Sequence, residues 1–166
     1  MSSQTNCQML SAVRYFQILI DRIEADTRDA LGKVNPEQQI VQTTAIHANE
    51  LRRKGEVTQK QVDLKNNAPN LQVNQWVSWV ILIPASAVRS QERLETVSGF
   101  VVEIGAERVL VNIQCNPQDS AELGYKFGEL AEVPLPAIVQ IMKPQPITPG
   151  SPVDMAQLKD YVGRGI

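Results

Sequence analysis

The chain has 166 residues, of which 43% are hydrophobic and 20% charged, and its 16 Lys+Arg against 18 Asp+Glu leave a net charge of −2. At roughly 100–200 residues per domain this is one domain with an appendage or two very small ones, able to bury about 70% of the unfolded surface. Collagenous, membrane-spanning, strongly basic and wholly disordered classes are excluded, and nothing in these values names a reaction. The two cysteines, Cys7 and Cys115, lie far apart and do not form the dense framework of a small secreted scaffold. Reduced thiols and a cytoplasmic setting follow, or a virion if the chain is phage-encoded. No Lys or Arg precedes Arg14, and the best apolar run, residues 15–20, contains Gln17 and meets Asp21. Neither a signal peptide nor a spanning helix is expected, and hence no membrane partner.

Over residues 9–31, Leu10, Val13, Phe16, Ile20 and Ile23 recur three and four apart, which predicts a helix with one apolar stripe and Gly32 at its C-terminal cap. Asn35-Pro36-Glu37 combines a capping side chain, a proline suited to the first turn and an acid at the positive end of the dipole. A second helix starts there. Its stripe is Ile40, Thr44, Ala48 and Leu51, and it runs into Arg52-Arg53-Lys54 and stops at Gly55. The two helices are expected to pack antiparallel. Thr58 with Gln61 has the spacing of a capping box and Val57 with Val62 that of a hydrophobic staple, predicting a short third helix over residues 59–65. The polar run from Lys65 to Asn70 breaks it. Residues 1–70 hold nine Lys+Arg and eight Asp+Glu, and residues 71–166 hold seven and ten. A boundary is placed near residue 70, dividing a helical region, 1–70, from the rest of the chain.

Residues 73–83 are rich in Val, Ile and Trp and end at Pro84, reading as a buried strand or a short helix, with strand favoured. In residues 99–113, Gly105-Ala106 fits a two-residue hairpin turn. That turn sets Glu103 across from Arg108, Val102 from Val109 and Phe100 from Val111. Phe100, Val102, Val109, Val111 and Ile113 then share the core face, while Val101, Glu103, Arg108, Leu110 and Asn112 face solvent. Further strands are predicted over residues 125–130 and, after Pro134-Leu135-Pro136, over residues 137–142. Short strands with turn signals between them point to a small β-barrel over residues 71–142. The expected class is therefore α+β: two long helices and one short, a five-stranded barrel, and a C-terminal arm.

The order Val73-Asn74-Gln75-Trp76-Val77-Ser78-Trp79, then Ser98-Gly99-Phe100-Val101-Val102-Glu103-Ile104, then Val109-Leu110-Val111, then Val133-Pro134-Leu135 resembles an SH3-like small barrel of the KOW kind. Asn74 stands where that pattern has Gly before the first strand, and residues 84–95 form an insertion. The resemblance implies a nucleic-acid-associated module, a protein docking module, or a building block of phage head–tail connectors and other virion parts.

Pro144, Pro146, Pro149 and Pro152 fall within nine residues and favour an extended, stiff connector. Ser151-Pro152-Val153-Asp154 then starts a short helix with Met155, Leu158 and Val162 on one side; with Tyr161 these are the candidate partner-docking residues. So short a helix is not stable alone. The arm, residues 143–166, either folds back on its own barrel or reaches a neighbouring subunit.

His47, the single histidine, has Glu50 three residues on, the spacing of a metal pair on one helical face. Zinc needs further ligands, and neither cysteine is near in sequence. No metal or cofactor is expected. A Ser–His–Asp or Cys–His centre would have to use the same His47, without a Gly-x-Ser-x-Gly elbow, and neither a phosphate loop nor a dinucleotide fingerprint is present. The carboxylate pairs Asp26/Asp29 and Glu92/Glu95 sit in charged segments. An enzyme is not expected. Gly124-Tyr125-Lys126-Phe127-Gly128 resembles a base-stacking platform, yet on a strand Tyr125 and Phe127 share a face and pack inward together.

Arg52, Arg53, Lys54, Lys60 and Lys65, with Tyr125 and Lys126, form the alternative nucleic-acid set. Glu50, Glu56 and Asp63 interleave with the cations in a chain that is acidic overall, so a solvated helix edge is the better reading. The expectation is a non-enzymatic structural or adaptor subunit bound to a protein partner or to identical subunits, as in a phage virion connector or decoration protein. The alternative is a nucleic-acid-binding regulator or mobile-element protein.

Overall fold

The computed structural model describes residues 7–87, 90–114 and 124–142. The chain enters through a two-residue strand that the sequence does not announce, β1 (Gln8–Met9), and turns at Ser11, whose hydroxyl accepts from the Arg14 N–H at 3.2 Å. That cap starts α1 (Ala12–Gly32). The second helix starts as predicted: Asn35 Oδ1 accepts from the Glu37 N–H at 3.0 Å and Pro36 opens one 3₁₀ turn, which leads into α2 (Gln39–Asn67).

Two expectations about α2 fail. The helix does not stop at Gly55, and residues 59–65 are not a separate third helix but its continuation. Gly55 costs a helix interior only about 1 kcal/mol relative to Ala. Arg52 and Glu56 bridge across it at 2.7 Å, while the Thr58 hydroxyl donates back to the Lys54 carbonyl instead of capping a new start. The second failure concerns faces. Ile40 and Leu51 of the predicted stripe are 83% and 70% exposed, and Val13 of α1 is 82% exposed. The helices do pair antiparallel, but through Arg53 to Asp26 at 2.9 Å and Lys54 to Glu24 at 3.1 Å. Val57 is the buried side chain of α2, and Ala12, Phe16, Ile23 and Thr27 are those of α1.

β2 (Trp76–Ile83) is a strand and the hub of the sheet. Along one edge it pairs antiparallel with β3 (Arg93–Ile104), from Trp76↔Phe100 to Ile83↔Arg93. β3 continues to β4 (Arg108–Ile113) and β5 (Leu130–Pro134), each antiparallel to the last. A 3₁₀ turn, Leu135–Ala137, then returns the chain to β6 (Ile138–Ile141), which pairs with the first half of β2's other edge; β1 takes the second half. The result is an α+β fold with a curled antiparallel half-barrel of five main strands. Val77, Trp79, Ile83, Val97, Val101 and Ile113 fill its inside. Outside, Val80 of β2 and Val139 of β6 pack against Leu10, Phe16, Ile23 and Val57, which fixes the helices to the sheet. Among the described residues no helix is long and apolar enough to cross a membrane.

The β3–β4 hairpin is out of the predicted register, by two residues next to the turn, where Glu103 faces Leu110 and not Arg108, and by one farther along, where Phe100 faces Asn112 and not Val111. The Gly105 N–H donates to the Arg108 carbonyl at 2.8 Å, so the turn residues are Ala106-Glu107 and Ile104 faces Val109. A further irregularity between Val101 and Glu103 leaves Val102 as an extra residue, and Val101 then faces Val111. Because side chains alternate, the two-residue shift at the turn alone would keep the predicted faces, and it is the extra residue that exchanges them from Val101 backwards: Val101 is fully buried, whereas Phe100 and the extra Val102 are exposed. Phe100 instead meets Trp76 edge-on outside the sheet, with ring centroids 4.9 Å apart. On β4 the predicted inward set, Val109, Val111 and Ile113, is correct.

Residues 125–129 are not strand; β5 starts at Leu130. Gly124 and Gly128 have φ of +77° and +80°, a left-handed backbone that bends this stretch into turns. Tyr125 and Phe127 therefore do not share a face. Tyr125 packs half-buried against Trp79, and Phe127 is 62% exposed. The final strand falls inside the predicted 137–142.

Candidate functional site

An apolar groove of about 480 Å³ opens where the two helices meet the end of the sheet. Three distant segments build it. α1 contributes Ala12 and Phe16, α2 and the turn after it contribute Leu64 and Leu71, and the 3₁₀ turn and β6 contribute Leu135 and Ile141. Each is apolar for a local reason, since Phe16 and Ile141 belong to the two cores and Leu135 is held by its N–H donating to the Glu107 carbonyl at 2.9 Å. Val13 stands exposed at the groove's wall, and Lys65 and Gln61 supply the polar part of the lining. Met142 follows Ile141 directly and is held by its N–H donating to the Trp76 carbonyl at 3.0 Å. Met142, the last of the described residues, thus stands one position past Ile141 of the groove. The docking candidates Met155, Leu158, Tyr161 and Val162, like Cys115 and the proline run, lie outside the described residues.

The basic set is dispersed. Arg52 is engaged by Glu56, Arg53 by Asp26, and Lys54 by both Glu24 and Glu50, at 2.7 to 3.8 Å. Two of these three cations therefore tie α2 to α1. Lys60 borders a second, more polar depression with Asp63, and Lys65 lines the apolar groove. Tyr125 and Lys126 belong to the turn before β5, on a different part of the fold. The Lys126 N–H donates to the Glu129 carboxylate at 2.9 Å.

His47 and Glu50 do face each other, Nδ1 to Oε1 at 3.8 Å. Among the described residues no group of three or more His, Cys, Asp or Glu side chains is placed so that it could hold a metal ion.

Tyr125 is a titratable group packed against the core of the half-barrel. Burial raises its phenol above the ordinary 10.0, and the nearby Trp79 indole partly offsets this, in an approach outside the geometry of a full hydrogen bond. Tyr15 is likewise raised by burial. A folded-state pKa above the unfolded value means stabilisation fully present below pH 10 and lost as the pH rises through the folded value. The urea midpoint is thus expected to fall above pH 10, and Tyr125→Phe to flatten that fall. An equally steep fall in the variant removes Tyr125 as a cause.

The groove had no signal in the sequence: its walls are a few residues each from three segments, the first and last over a hundred positions apart. No family model, no curated protein and no solved structure matches the chain.

Proposed function

We propose that the protein is a non-enzymatic structural or adaptor subunit of a larger assembly, docking through its C-terminal arm. The observation that carries this is the apolar groove lined by Ile141, two positions in sequence before the arm. Met155, Leu158 and Val162 recur three and four apart, which suits such a groove. Full burial of those three side chains is worth about 5–9 kcal/mol before the cost of ordering the arm. The engagement of Arg52, Arg53 and Lys54 by carboxylates also favours assembly over binding to phosphate, because phosphate attraction needs surplus cations.

The half-barrel is read as SH3-like. Its last strand, arriving after a 3₁₀ turn, pairs with the first long strand, and the strands between them follow in sequence order. Asn74 supports the KOW likeness: it has φ +71°, the left-handed backbone that a Gly at that position provides and that Asn tolerates better than other side chains. A virion connector or decoration protein is the concrete form this reading takes.

Light scattering on the eluting protein tests it, with the 260/280 nm absorbance ratio recorded across each peak. A protein-like ratio in a discrete assembly is expected, and deleting residues 143–166 is expected to lower its number of subunits. An unchanged number of subunits overturns arm docking. Bound nucleic acid that salt strips off, and that Arg52→Ala with Arg53→Ala and Lys54→Ala prevents, overturns the assembly reading.

A further inference from the structure

The solvent side of α2 carries a feature that docking through the arm does not use. Positions 41, 44, 48, 51, 55, 58 and 62 follow one another in strictly alternating steps of three and four, and all are exposed and uncharged. That alternation keeps one seam in line along about 32 Å of helix, the pattern by which one helix packs along another. At 100° per residue the seam lies on the side of α2 opposite Ile46, Arg53 and Val57, so α1 and the sheet leave it clear.

The composition of the seam says what covers it. Laid antiparallel on a copy of itself about Leu51, the helix sets Leu51 against Leu51, Ala48 against Gly55, Thr44 against Thr58 and Val41 against Val62. Like meets like at every level. The Ala–Gly levels on either side of the centre let the backbones approach, and Gly55 has open space where a Cβ would stand. A surface that reads the same in both directions fits a two-fold axis, at which one patch meets its own copy. We infer that α2 is a self-recognition surface, pairing two copies of this chain antiparallel with Leu51 at the axis.

The charges beside the seam permit this. Arg52 lies next to its own copy near the axis, and each guanidinium is already neutralised by Glu56 at 2.7 Å. The seam is one helix wide, a footprint on the order of 300 Å² per copy against about 800 Å² per partner in a standard interface. The pair is therefore a concentration-dependent dimer. It rests on α2 and not on the arm.

Sedimentation velocity over a wide concentration range tests the pairing on the full chain. A monomer–dimer equilibrium is expected, weakened at least about tenfold by Leu51→Lys, which sets two cations at the axis on an exposed site. The register is tested with a short bismaleimide in a Cys7→Ser, Cys115→Ser background. Leu51→Cys is expected to link to itself, and Thr44→Cys to link to Thr58→Cys but not to itself. A monomer at every concentration, or Thr44→Cys linking to itself, overturns the inference. So does loss of the dimer on deleting residues 143–166, whereas a dimer that survives the deletion while larger assembly fails supports both α2 pairing and arm docking.

Discussion

Gly99→Ala is expected to destabilise the fold by about 3 kcal/mol or more, a large effect for one added methyl group. A Cβ on Gly99 falls 2.1 Å from the Asn112 carbonyl oxygen and 2.9 Å from its carbon, with Val111 Cγ1 at 2.7 Å. Two of those three atoms are backbone of the adjacent strand, so no rotamer relieves the contact. Relief requires β3 and β4 to part where Gly99 pairs with the buried Ile113, at the end of their ladder. Gly55→Ala in α2 has the opposite sign. Nothing lies within 4 Å of that Cβ and the residue is helical, so it is expected to stabilise by about 1 kcal/mol. Urea melts of the two variants at low concentration check the pair. A Gly99→Ala protein as stable as the parent contradicts the close approach of β3 and β4.

The same contrast explains how much of the molecule was legible. Local signals were read correctly where one residue type decides: Asn35-Pro36 starts a helix, Pro84 closes a strand, and the Val- and Ile-rich run before it is β2. Faces were misread where a long-range contact decides. Ile40, Thr44, Ala48 and Leu51 have the spacing of a core stripe, but the sheet presents Val80 and Val139 to the other side of the helix, where Val57 lies. In the hairpin, Gly105-Ala106 has the chemistry of a turn, yet the chain turns one residue later, and the extra residue at Val102 exchanges the faces of β3 from Val101 backwards. The groove was illegible for a different reason. It exists only once α1, α2 and β6 are packed, and no one of those segments carries its pattern.

Trp79→Ala is the other substitution of large expected effect. The side chain is fully buried at the middle of β2, between the β3 and β6 pairings, and its ring meets Tyr125 edge-on at 6.1 Å. Removing a buried tryptophan costs about 3–5 kcal/mol, a large part of the roughly 5–15 kcal/mol that holds a domain together. Trp79→Phe is expected to cost less, because it retains an aromatic edge for Tyr125 and removes the indole N–H, which is buried without a well-formed hydrogen bond among the described residues. Urea midpoints of the two variants are therefore expected to fall in the order parent, Phe, Ala. The effect reaches the proposed docking site through β6: Ile138 is the register partner of Trp79, and both it and Ile141 line the groove. Loss of arm docking in Trp79→Ala is thus expected to accompany loss of the fold, whereas Val13→Ser, on an exposed wall of the groove, is expected to weaken docking with the urea midpoint unchanged.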